Sequence, residues 1–106
     1  MNPNNQKNDA DVIDIEQYSK EGKPVPPGKK YQILVDREKI TVEKECMTGK
    51  EILIQAGKLP VERFQLNQRF KGGKVVKVGY DQTVCFTEPG IEKFMTIPLD
   101  QTEGGK

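Results

Sequence analysis

Few residues in this chain are of a type that does chemistry. Cys46 and Cys85 are its two thiols, and it has no histidine. Without histidine the commonest general base and metal ligand are missing, and nothing obvious lowers a thiol pKa. Two cysteines also fall short of the four N/S ligands of a usual zinc site, so no metal site and no catalytic residue is expected. Lys71-Gly72-Gly73-Lys74 lacks the spacing of a phosphate-binding loop and reads as a turn. Asp81 and Glu88 read as solvated turn carboxylates. The end of the chain, Asp100-Gln101-Thr102-Glu103-Gly104-Gly105-Lys106, has no apolar residue. Taken alone, it is a flexible polar tail. Its glycine pair is the one feature with special backbone freedom, since glycine has no Cβ and tolerates close approach.

Composition narrows the classes further. Seventeen basic residues face sixteen acidic ones, a net charge of +1. A nucleic-acid binder needs a basic excess, so none is expected to bind. No run of apolar residues is long enough to span a membrane. The N-terminus lacks the apolar core of an export signal, and two cysteines without one point to reduced thiols in a cytoplasm. The better expectation for Cys46 and Cys85 is that of small core residues, not a disulfide.

Elements must then position whatever the tail does. Apolar residues are 34% of the chain and unevenly spread. Residues 1–30 hold only Met1, Ala10, Val12, Ile13, Ile15, Tyr18 and Val25. They read as a flexible arm, asparagine-rich at its start. Pro24, Pro26 and Pro27 make its end an extended linker. Within the arm, residues 11–16 have strand-forming character. Val12, Ile13 and Ile15 could add as a docking strand to a sheet edge, in this chain or in another copy. If the linker stops the arm folding back, the contact is head-to-tail and builds chains.

A compact domain follows over residues 31–99. Tyr31, Ile33 and Val35 share one strand face, and Ile40 and Val42 alternate after a polar turn, which predicts a hairpin. Thr48-Gly49-Lys50-Glu51 fits a capping box for a short helix carrying Ile52, Leu53, Ile54 and Ala56 and stopping at Gly57. Strands are predicted from Phe64, at Val75–Val78, near Thr83–Thr87, and from Ile91 to Leu99. The order β-β-α-β-β-β is an α+β arrangement: a mixed sheet with one short helix across it.

These segments resemble the bacterial multiubiquitin-domain family of ubiquitin-like proteins. The resemblance is carried by Lys30-Tyr31 through Asp36, the helix start Thr48-Gly49-x-Glu51-Ile52-Leu53, Ile52-Leu53 through Gly57, Leu66-Asn67-Gln68, and Pro89-Gly90-Ile91-Glu92-Lys93-Phe94. It extends over about residues 11–105. It implies a ubiquitin-like β-grasp fold. It further implies a protein modifier, a substrate and not an enzyme, conjugated through the Gly104-Gly105 end after removal of Lys106. Its implied partners are an activating enzyme of the E1 type, a conjugating enzyme of the E2 type, a JAB/JAMM-type metallopeptidase and target proteins, in operons of phage defence. ATP would be used by the activating enzyme, and the chain itself would need no cofactor. Many family members carry tandem copies of the domain, whereas this chain has one. Two other readings stand beside it: an assembly module that oligomerises through its arm, and a sulfur carrier ending in a thiocarboxylate. Ubiquitin-like domains are recognised through an apolar patch on the open sheet face, for which Leu34, Phe70 and Val76 are the expected residues.

Overall fold

The computed structural model describes residues 12–99. The elements are β1 (Val12–Asp14), α1 (Ile15–Lys20), β2 (Lys30–Val35), β3 (Glu38–Val42), β4 (Cys46–Thr48), α2 (Gly49–Gln55), β5 (Phe64–Phe70), β6 (Val75–Val78), β7 (Thr83–Cys85) and β8 (Ile91–Pro98). A 3-10 turn, Val61–Arg63, leads into β5. The result is α+β, as the pattern predicts, and the ubiquitin-like β-grasp that the resemblance implies.

The sheet is built on two antiparallel hairpins. β2 pairs with β3 and β5 with β6. The last strand, β8, lies between them, antiparallel to β5 and parallel to β2. The first hairpin turns on Asp36 and Arg37, both at positive φ (48° and 76°). That is the left-handed pair a two-residue hairpin needs, here without glycine. Asp36 is held there from outside the hairpin. Its carboxylate accepts from the Thr96 N–H at 2.9 Å and from the Thr96 hydroxyl, and Lys58 Nζ lies 3.5 Å away.

One face of the sheet carries Tyr31, Ile33, Val35, Leu66, Val78 and Phe94, all at 1% exposure or less. Ile52 and Leu53 of α2 are fully buried in the same core. Phe86 stands at its centre, with ring centroids 5.9 Å from Tyr31 and 6.2 Å edge-on to Phe94. The helix is short, so its stability comes from this burial and from its cap. Thr48 and Glu51 form the predicted capping box: Glu51 N–H donates to the Thr48 hydroxyl at 3.2 Å, and Thr48 N–H to the Glu51 carboxylate at 2.9 Å. That backbone donor, helped by Lys44 at 3.0 Å, holds the Glu51 carboxyl below its ordinary value. Replacing Thr48 by Ala is expected to cost about 1 kcal/mol in urea unfolding.

Two expectations are corrected. Cys46 and Cys85 are not free core thiols; they form a disulfide. β4 and β7 pair in a small antiparallel sheet that sets Cys46 directly opposite Cys85, with Cα atoms 4.0 Å apart. The residues are 39 apart in sequence, so only the register brings them together. The inference of a reducing compartment rested on free thiols, and the bonded pair removes that support. Among the described residues, no helix is long and apolar enough to cross a membrane.

The second correction concerns the arm. Residues 12–30 do not stand apart from the domain. β1 pairs in parallel with β2 of its own chain, Ile13 opposite Tyr31 and Asp14 opposite Gln32. Asp14 then caps α1, accepting from the Glu16 and Gln17 N–H groups at 3.1 and 3.3 Å. Ile15 is fully buried, Ser19 2% exposed and Val25 6% exposed. The Ser19 hydroxyl donates to the Gly90 carbonyl at 3.2 Å, and the Gly28 N–H donates to the Tyr31 hydroxyl at 2.6 Å. Prolines extend the connector without preventing its return. Gly28 lies close against β1 where the chain comes back: a Cβ there would meet Ile13 Cδ1 and displace the end of that side chain. The expected docking strand is thus present, and its partner is its own sheet.

Candidate functional site: the exit of the last strand

The predicted conjugation residues Gly104 and Gly105, and Lys106, lie outside the described residues. What the structure describes is the platform from which they extend. β8 runs through the sheet and ends at Pro98, opposite Phe64. Leu99 is tied once more, its N–H donating to the Arg63 carbonyl at 2.8 Å. Beyond that hydrogen bond the described chain ends.

The ground beneath this exit is braced. Tyr80 donates its hydroxyl proton to the Phe64 carbonyl at 2.7 Å, joining the start of β5 to the loop after β6. Lys58 Nζ sits 5.9 Å from the Phe64 ring centroid and 3.5 Å from the Asp36 carboxylate. Lys58 thereby connects the first hairpin turn to the segment after α2, and Asp36 in turn holds Thr96 of β8. A cation over an aromatic face and beside a carboxylate gains from both fields. A small cleft opens beside Leu99, lined by Gln65, Leu66, Lys77, Val78, Gly79 and Tyr80.

Register decides which side chains share the open face, because directly paired residues point to the same side. Phe94 lies opposite Gln68 and Val35. The open face therefore takes the alternate residues: Leu34 on β2, Met95 and Ile97 on β8, Gln65, Asn67 and Arg69 on β5, and Val75 on β6. Ile97 is 46% exposed and Val75 49%. Asn67 is buried beneath this face and accepts from Gln65 Nε2 at 3.1 Å.

Of the three residues expected for a recognition patch, only Leu34 is on this face, half-buried. Phe70 pairs with Ile91, and Val76 with Gln68, so both lie on the core side. The structure does not bring the three together. Met95 and Ile97 were not singled out, although they alternate with Phe94. The signal was hidden by a register shift at Arg69/Phe70. It lets Ile91 and Phe94, three positions apart, face the same core, so simple alternation along β8 gives no consistent phase. Of the residues expected for self-assembly, Val12 and Ile13 are half-buried and Ile15 wholly buried within their own chain.

Among the described residues no group of three or more His, Cys, Asp or Glu side chains is placed to hold a metal ion. The arrangement is that of a strand end presented on a braced sheet, with an apolar strip alongside.

The family model described as multiubiquitin matches residues 31–98. That span runs from the first residue of the core face on β2 to the end of β8. No curated protein and no solved structure matches the chain.

Proposed function

Since this chain belongs to the multiubiquitin family, we propose that it is a protein modifier, joined to amines of other proteins through the carboxyl of Gly105. The observation that carries this reading is the diglycine whose second residue, Gly105, stands six residues beyond the last described residue, Leu99, after the strand that completes a ubiquitin-like sheet. Six extended residues reach about 20 Å at most. An enzyme that binds the open face near Ile97 can therefore hold the domain and still receive the glycine end.

The chemistry follows from the carbonyl group. A metallopeptidase adds water across the Gly105–Lys106 peptide bond, releasing lysine and leaving a carboxylate. The carboxylate is a poor acyl donor. An activating enzyme lets it attack the α-phosphorus of ATP, and pyrophosphate leaves. A thiol or hydroxyl of the enzyme then takes the acyl group and AMP departs. After transfer to a conjugating enzyme, a lysine amine of the target attacks, forming an isopeptide and freeing the enzyme's nucleophile. The chain contributes no catalytic group to these steps. It supplies a handle without side chains at Gly104 and Gly105, which a narrow channel can enclose, and a surface by which the enzymes choose it. A bacterial cytoplasm and an operon directed against phage fit this role.

The test is to incubate the full chain with an activating enzyme, a conjugating enzyme and a metallopeptidase of the expected types, ATP and cell extract, and to read masses. Expected are loss of Lys106, then products bearing the chain on lysine through Gly105. Conjugates that retain Lys106, or none at all, would refute the proposal. A gain of one sulfur in place of one oxygen at the terminus would identify a sulfur carrier instead.

A further inference from the structure

We propose that the slot holding β1 and α1 accepts the same segment from a second copy of this chain, so that copies link by exchanging residues 12–20. This rests on the sheet and not on the modifier reading.

The slot is a consequence of how β8 meets β2. The two strands share a single pairing, Val35 with Phe94, continued by the Asp36 N–H to the Phe94 carbonyl at 3.1 Å. Tyr31 pairs with Val42 on one side and with Ile13 on the other, whereas Val35 pairs with Glu38 and with Phe94. The edge of β2 opposite β3 is therefore divided. β8 occupies its end, and β1 occupies its start over Lys30–Gln32. α1 packs against both β2 and β8. Without a segment in this place, the backbone of Lys30–Gln32 would lose its partners on that edge, and the apolar pocket around Ile15 would open to water.

The slot must therefore be filled, but nothing requires that the filling come from the same chain. The family match covers residues 31–98, so the filling segment lies in front of the matched span. It is joined to β2 by residues 22–29, of which only Val25 is buried. Three prolines hold that connector extended. In an exchanged pair the β1–β2 pairing and the packing of α1 on β2 and β8 are kept, and what must be re-formed lies in the connector: the burial of Val25 and the Gly28 hydrogen bond to Tyr31. Exchange of an identical element is a low-cost route to association, and proline-stiffened connectors favour it because they lower the cost of standing open. The occupant is specified by the residues themselves: an extended Val-Ile-Asp, a cap at Asp14, and Ile15 and Ser19 for the buried positions. A segment of another copy meets all of these.

Val12 lies opposite Lys30 in the β1–β2 ladder. Isotopically heavy chains carrying Val12→Cys would be mixed with light chains carrying Lys30→Cys, unfolded and refolded together, oxidised, and mapped as peptides. Expected is a 12–30 cross-link of mixed isotope whose yield rises with concentration from micromolar to millimolar. The double variant, V12C with K30C in one chain, must cross-link efficiently and shows that the slot is formed. If it does so while the mixture gives no mixed link, the proposal is wrong. Light scattering on the unaltered chain gives an independent reading. A mass that grows with concentration supports exchange, and a monomer throughout the range overturns it. Neither measurement includes ATP or an activating enzyme, so failure here leaves the modifier reading untouched.

Discussion

A chain ending at Glu103 will fold as the full one does and will form no acyl-adenylate. This is the largest effect expected, because it removes the reacting carbon and none of the described elements. Among the described residues, the hydrogen bond from Leu99 to Arg63 and every core residue lie before the cut. Unfolding by urea should thus show the same midpoint for both chains, while ATP–pyrophosphate exchange on the activating enzyme, supported by the processed chain that ends at Gly105, falls to background. Gly104→Ala is the finer probe. It keeps the carboxyl and adds one methyl group where an enzyme channel encloses the backbone. Misplacement of a reacting group by about 1 Å can cost roughly 100-fold, and a loss of that order in acyl transfer is expected. A truncated chain that is still adenylated at the normal rate would mean that the glycine pair is not the handle.

The second large effect is on stability, and it falls on a residue in front of the family domain. Ile15→Ala removes a fully buried side chain from the pocket between β2 and β8. Such truncations cost about 2–5 kcal/mol, a large share of the roughly 5–15 kcal/mol that holds a domain together. In a domain of this size the thermal midpoint should drop by about 10 °C or more. Val12→Ala, at a half-buried position, should cost much less. If Ile15→Ala leaves the midpoint unchanged, the segment before residue 30 is not part of the cooperative unit.

The two substitutions separate the molecule's tasks. Ile15 stabilises a sheet in which β2 and β8 share a single ladder pairing. The role proposed for Gly104 and Gly105 lies beyond the described residues. Between them, the Asp36–Lys58–Thr96 cluster ties the first hairpin to the last strand close to the exit, so the end of β8 is held on both sides.

Much of this was legible in the order of residues alone. Alternation of Tyr31, Ile33 and Val35 and the Thr48–Glu51 box each encode a local structure through nearest neighbours: period two for a strand, a reciprocal hydrogen bond for a helix start. Their succession was enough to indicate an α+β domain, the family resemblance implied the β-grasp, and the glycine pair is visible as plain sequence. The disulfide, the filled slot and the open-face strip were not, because each depends on pairing between distant segments. Cys46 meets Cys85 only through the register of two three-residue strands. The polar, proline-rich start reads as an arm because local composition carries no record of an empty edge on β2; that edge exists only once β8 has diverged from it. Met95 and Ile97 acquire a face only after the register shift in β8 is set against β5. Local patterns state which elements form, whereas the partner of each edge and face is settled by the one arrangement that leaves the fewest apolar side chains wet and backbone groups unpaired.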